Sequence, residues 1–107
     1  MPIKIGQHLV GENQPVFIVA EISGNHNGQL DSALELVHCA KRAGANAIKL
    51  QTYTPDTITL NSDKPDFVLT HNSPWADYGT LWNVYNHAYP PWEWHEALFN
   101  EAKKIGL

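Results

Sequence analysis

The apolar positions along the chain repeat with two different periods. Val16 to Ile22 is almost continuously apolar, as a parallel strand covered on both faces requires. Leu30, Ala33, Leu34, Val37 and Ala40 recur every three or four residues and share one face of a helix. From Ala47 the pattern alternates. Ala47, Lys49, Gln51 and Tyr53 share one face, and Ile48, Leu50 and Thr52 the other. Strand, helix and strand in that order form a β-α-β unit. It delivers Glu21, Lys49 and Gln51 to one end of a parallel sheet, the end at which α/β folds bind ligands.

The flanking segments extend this plan. Ile3 to Val10 reads as a short strand with Gly6 as a bulge, or as a hairpin, ahead of the turn cluster Gly11 to Pro15. Ser23 to Gly28 is a loop whose glycines and asparagines admit left-handed backbone. Asp31 either caps the helix after it or suits its first turn, and Lys41, Arg42 and Gly44 mark its end. Thr54 to Thr80 is long, irregular and rich in proline; a loop of that length inside a domain is functional or disordered. A short helix follows over Leu81 to Ala88, with Leu81, Val84, Tyr85 and Ala88 on one face. A second helix opens near Pro91, its buried stripe made by Trp94, Leu98, Ala102 and Ile105.

The element order predicts an α/β chain: the N-terminal part of a (β/α)8 TIM barrel, with parallel strands and a short N-terminal strand or hairpin. Such a barrel takes about 250 residues. Residues 1–107 are therefore expected to be the first portion of a single domain. Alone they are expected to be inactive and prone to aggregate through unpaired strand edges.

Charge and composition narrow the partners. Seven Lys and Arg against eleven Asp and Glu give a net charge of −4. No basic cluster exists to displace counterions from phosphates, which argues against nucleic acid. No stretch approaches the roughly 20 apolar residues of a membrane helix, and no secretory signal is read at the N-terminus. The single cysteine, Cys39, excludes a disulfide within the chain and fits a reducing cytoplasm; its place in the helical pattern reads as a small core residue.

Lys49 is the most informative polar residue. It stands among apolar strand neighbours, and a buried ammonium needs an anion. Glu21, at the end of the neighbouring strand, is one. Two readings stand. In one, Glu21 and Lys49 are a buried ion pair with no ligand. In the other, Lys49 holds a phosphate or carboxylate, while Glu21 acts as acid or base or binds hydroxyls. Placement at the ligand-binding end favours the second. Gln51 and Tyr53 face the same way as Lys49. Gln51 either lines a pocket or bonds neighbouring backbone. Asn25, His26 and Asn27 sit where a pocket mouth would be. His26 either moves a proton or orients a substrate oxygen, or else is a solvated loop histidine. The remaining histidines give no metal motif: Glu93 and His95 do not share a helix face, and no His-Glu-x-x-His is present. Of the four tryptophans, Trp94 reads as core, and Trp75, Trp82 and Trp92 as packing the long loop onto the rim.

Phe17-Ile18-Val19-Ala20-Glu21-Ile22-Ser23-Gly24-Asn25-His26-Asn27-Gly28, followed by Ala47-Ile48-Lys49-Leu50-Gln51-Thr52-Tyr53, resembles the N-terminal region of the sialic acid synthase family. Gln51-Thr52-Tyr53-Thr54-Pro55-Asp56, Ser62-Asp63-Lys64-Pro65-Asp66-Phe67 and Pro91-Trp92-Glu93-Trp94-His95 resemble its pseudaminic branch. Leu69 to Thr80 departs from the shorter Gly-Gly-Leu-Trp-like segment of that branch. The resemblance implies a barrel enzyme that joins phosphoenolpyruvate to an N-acetylated amino sugar and releases phosphate, with N-acetylneuraminate or legionaminate synthesis, or a non-catalytic binding module, as alternatives. It implies Lys49 as the phosphoenolpyruvate contact, Glu21 and His26 as catalytic residues, and Gln51, Asn25 and Tyr53 as substrate-binding. It further implies a divalent metal, Mn2+ or Mg2+, with ligands outside this stretch, a homodimer, a cytoplasmic location and a C-terminal antifreeze-like domain beyond the barrel.

Overall fold

The computed structural model describes residues 1–107. It opens with a hairpin in which β1 (Ile3–Ile5) pairs antiparallel with β2 (His8–Val10), Ile5 opposite His8. Gly6 and Gln7 make the turn. Gly6 lies at φ +57°, a left-handed geometry that two-residue hairpin turns need and that glycine takes without strain. Gly6 therefore reverses the chain and does not bulge a single strand.

The β-α-β unit follows. β3 (Val19–Glu21) and β4 (Ala47–Lys49) pair in parallel, Val19 opposite Ala47, Ala20 opposite Ile48 and Glu21 opposite Lys49. α1 (Leu30–Arg42) connects them. Asn46 fixes the start of the pairing: its side-chain oxygen accepts from the Ile18 N–H at 2.8 Å, and its own N–H donates to the Ile18 carbonyl at 2.8 Å. At the other end, the Ile22 N–H donates to the Lys49 carbonyl at 3.1 Å. Gln29 is the N-cap of α1, so Asp31 lies in the first turn, where its charge suits the helix dipole.

The long stretch after β4 is not structureless. It contains α2 (Pro55–Ile58), 3-10 turns at Pro65–Phe67 and Ala76–Tyr78, and a bridge between Val68 and Thr80. Each is too short for a hydrophobic period to announce. α3 (Leu81–Ala88) starts where Thr80 accepts the Asn83 N–H at 3.3 Å through its hydroxyl. α4 (Trp94–Lys104) begins three residues after Pro91, whose carbonyl accepts the Trp94 N–H in the turn leading in.

The core lies where α1 and α4 meet the sheet. Ile22, Ala33, Val37, Leu98 and Ala102 are buried together, with Ile48, Leu50, Trp94 and Ile105 packed against them. This is the stripe the spacing predicts on both helices. His38 on α1 donates to Glu101 on α4 at 2.8 Å and ties the two together at the surface. The result is a mixed α/β structure around one parallel strand pair. No helix is long and apolar enough to cross a membrane.

Two expectations need correction. Val16 to Ile22 is not covered on both faces: Val16 is 82% exposed, Ile18 53% and Val19 49%. β3 has one strand neighbour, β4, and the buried cluster lies on one side of the pair only. Cys39 is exposed, because the buried stripe of α1 runs through Ala33, Val37 and Ala40 and leaves Cys39 on the outer face beside Glu35 and Arg42.

Candidate functional site

The parallel pairing sets Glu21 directly across from Lys49, and their side chains meet. Lys49 Nζ lies 2.6 Å from Glu21 Oε1. The pair is present but not buried: the Lys49 side chain is 62% exposed and that of Glu21 43%. The desolvation cost expected for Lys49 is therefore largely absent, and an ion pair this open adds little to stability. Its consequence is electrostatic. The hydrogen bond and then the charge of Lys49 hold the Glu21 carboxyl below its usual range. Glu21 is thus an ionised acceptor at neutral pH, and the ammonium beside it has an open side toward solvent.

Next to the pair is a cleft of about 500 Å³. Ser23, Gly24, Asn25, Gln51 and Tyr53 contribute one side of it from the strand ends. Leu69, Ser73, Trp75, Leu81, Val84, Tyr85 and Ala88 contribute the other, from the long loop and α3. Of the residues the sequence singles out, Asn25, Gln51 and Tyr53 gather here. Glu21 and Lys49 do not line the cleft. Ser23 links the two, since it lines the cleft and places its hydroxyl 3.5 Å from Glu21 Oε2. Ser23 lies at φ +54°, a region that costs a non-glycine residue energy and is held only where neighbours enforce it. The side-chain nitrogen of Asn25 donates to the Ile22 carbonyl at 3.1 Å. Tyr53 stands edge-on to Tyr85, ring centres 5.7 Å apart, and burial pushes its phenol pKa up.

His26 is not at the mouth of this cleft. It is 1% exposed. Its Nδ1 accepts the Gly28 N–H at 3.0 Å, so the ring carries its proton on Nε2 and donates it to the Ala88 carbonyl at 3.0 Å. Its ring packs edge-on against Trp94, centres 5.1 Å apart. Both nitrogens are engaged by backbone groups, and the buried ring corrects the expectations of a residue at the pocket mouth or of a solvated loop histidine. His26 joins the β3–α1 loop to the end of α3. Gly24 meets the same place: a Cβ there would come within 3.1 Å of the Ala88 Cβ and 3.2 Å of its carbonyl oxygen.

Burial lowers the His26 pKa most, the Ala88 hydrogen bond opposes this, and the charge of His87 adds to it. The unfolded chain titrates near the ordinary value of about 6.5. Between that value and the lower folded one, the unfolded state binds a proton that the folded state refuses, so stability rises with pH. This contribution is complete above about pH 6.5 and is lost as pH falls through the folded pKa. The urea midpoint is expected to drop between pH 7 and pH 5, and His26→Phe to flatten that segment of the curve. An unchanged slope in the variant would assign the effect to another group.

Sequence reasoning did not single out Ser23, nor did it place the apolar face of α3 at the cleft. The spacing of Leu81, Val84, Tyr85 and Ala88 identified that face correctly, but it borders the cleft and none of α3 is fully buried.

Residues 36–107 match the model of the NeuB family. The chain belongs to that family. This agrees with the motifs of β4 and the following loop. The NeuB-family chain is 48% identical over 95 residues to the pseudaminic acid synthase of Campylobacter jejuni subsp. jejuni, covering 89% of this chain and 27% of the relative. It is 46% identical over 94 residues to that of Helicobacter pylori, covering 88% and 27%. The crystal structure of the Bacillus subtilis spore coat polysaccharide biosynthesis protein SpsE superposes with a TM-score of 0.68 at 28% identity, over all of this chain and 26% of that one. The chain thus spans about a quarter of the length of the relatives it matches.

Proposed function

We propose that the protein condenses phosphoenolpyruvate with an N-acetylated amino sugar to give a nonulosonic acid and phosphate, with a diacetamido-trideoxy-altrose as the sugar. The observation that carries the reading is the Lys49–Glu21 pair, set by register at one end of a parallel strand pair beside a cleft bearing Gln51 and Asn25. On this reading the segment is the opening of a (β/α)8 barrel, and the rest of the barrel completes the site.

In the proposed chemistry Lys49 binds the anionic donor through its open side. The methylene carbon of phosphoenolpyruvate attacks the aldehyde carbon of the open-chain sugar, a carbon–carbon bond forms, and the aldehyde oxygen takes a proton. Water adds at the neighbouring carbon, and the resulting tetrahedral centre expels phosphate. Glu21, ionised beside Lys49, serves as acceptor for a sugar hydroxyl or for the proton of the attacking water. Gln51 and Asn25 orient polar groups of the sugar.

A divalent metal belongs to this reading, but the residues present do not fit one. No group of three or more His, Cys, Asp or Glu converges. Its ligands are to be sought in residues outside this stretch, and no step above is routed through it. A homodimeric, cytoplasmic enzyme is part of the same proposal.

The test is to supply the full-length protein with phosphoenolpyruvate, Mn2+ and either the diacetamido sugar or N-acetylmannosamine, and to follow phosphate release and product mass. Release with the diacetamido sugar alone supports the proposal. Release with N-acetylmannosamine alone makes it a neuraminate synthase, and no release with either favours a binding module. One observation keeps the neuraminate and legionaminate readings in play: the 69–80 stretch that departs from the pseudaminic pattern lines the cleft through Leu69, Ser73 and Trp75.

A further inference from the structure

The two sides of the cleft differ in chemistry. The strand-end side carries Ser23, Asn25 and Gln51, whereas the facing wall is mainly apolar, with Leu69, Trp75, Leu81 and Val84 beside Ser73 and Tyr85. No Lys, Arg, Asp or Glu lines it. A ligand fitting between them has one edge rich in hydroxyl or amide groups and one mainly apolar edge, such as one ending in a methyl.

Trp75 is distinguished from the tryptophans near it. Trp82 donates its indole N–H to Asp56 at 2.9 Å, and Trp92 donates to the Tyr53 carbonyl at 3.1 Å. Those two rings fasten loops together. The Trp75 indole N–H has no partner in the chain, and the residue is 56% exposed. The loop bearing it is nonetheless fixed at its base: the Leu69 N–H donates to the Gly79 carbonyl at 2.9 Å, and Val68 bridges to Thr80. The backbone N–H of Trp75 is taken by the Ser73 hydroxyl at 3.2 Å. A large aromatic ring is thus presented at a cleft by an anchored loop, with its face and its donor both unused.

We propose that Trp75 determines sugar specificity, by packing on the methyl-bearing edge of the acceptor and so selecting a deoxygenated acetamido sugar over one that carries a hydroxyl or a phosphate there. The proposal rests on the synthase reading given above. The ring face gains more from a methyl than from a hydroxyl, and the cleft offers a phosphate no cation.

The experiment compares the full-length wild type with Trp75→Ala and Trp75→Phe, measuring kcat and KM for the diacetamido-trideoxy sugar, for N-acetylmannosamine and for phosphoenolpyruvate. Trp75→Ala is expected to lower kcat/KM for the deoxy sugar by about 10-fold or more, mainly through KM, and to lower the preference between the sugars by a similar factor. The KM for phosphoenolpyruvate stays within about twofold and Trp75→Phe keeps most of the preference. An unchanged ratio between the sugars overturns the role of Trp75 while leaving the synthase reading intact. A wild type that releases phosphate with neither sugar overturns both. If Trp75→Ala melts early, Trp75→Leu against Trp75→Gln decides by the same ratio: Leu must retain the preference and Gln must lose it.

Discussion

Lys49→Ala in the full-length protein is expected to reduce kcat/KM for phosphoenolpyruvate by about 10²–10³-fold, the range seen when one preorganised electrostatic contact to a reacting group is removed. The melting temperature of the same variant is the control: a fall in kcat/KM far larger than the loss of stability distinguishes a ligand-binding lysine from a structural one. Lys49→Arg keeps the charge but replaces a compact ammonium by a planar fork, so partial activity is expected. Glu21→Gln removes the carboxylate that competes with the donor for the ammonium. It is expected to leave the KM for phosphoenolpyruvate similar or lower while kcat falls. Steady-state kinetics on the three variants check this. Normal turnover by Lys49→Ala would remove the lysine from the mechanism.

Leu98→Ala is expected to cost about 2–5 kcal/mol of stability, as for leucines whose removal leaves a cavity in a packed core. Leu98 is 1% exposed and belongs to the buried cluster of Ile22, Val37 and Ala102. It joins α4 to α1 and to the strand that ends in the Ser23 loop. Urea denaturation of the full-length protein measures the loss. Cys39→Ala, on the outer face of α1, is the control and is expected to change stability by less than about 0.5 kcal/mol. A similar loss in both would mean that the core is not where Leu98 lies.

The helices and the paired strands were legible because their apolar positions repeat. Ala33, Val37 and Ala40 on α1, and Leu98 and Ala102 on α4, are buried as their spacing requires. The alternation from Ala47 onward placed Ile48 and Leu50 against the core and left Lys49 to meet Glu21. What periodicity cannot carry was missed. The 3-10 turns between Thr54 and Thr80 are shorter than one period. The burial of His26 depends on the carbonyl of Ala88, sixty-two residues away in sequence, and no local pattern encodes that contact. The openness of Val16 and Ile18 follows from the single strand neighbour of β3, although their composition suits a strand covered on both faces. The candidate site was legible as a set of residue types. Its division into an ion pair and a separate cleft was not, because that depends on where the chain goes after each strand ends.

Asn46 belongs neither to the cleft nor to the ion pair, yet the register that sets Glu21 across from Lys49 depends on it. It grips Ile18 through two hydrogen bonds at the start of the pairing, and Lys49 lies three residues further, about 10 Å along an extended chain. Sliding β4 by a single step would bring Ile48 opposite Glu21 and turn the ammonium into the helix layer. On the proposed function, a damaging substitution at Asn46 would therefore lower turnover at a distance, and a survey scoring activity alone would mistake a spacer for a reagent.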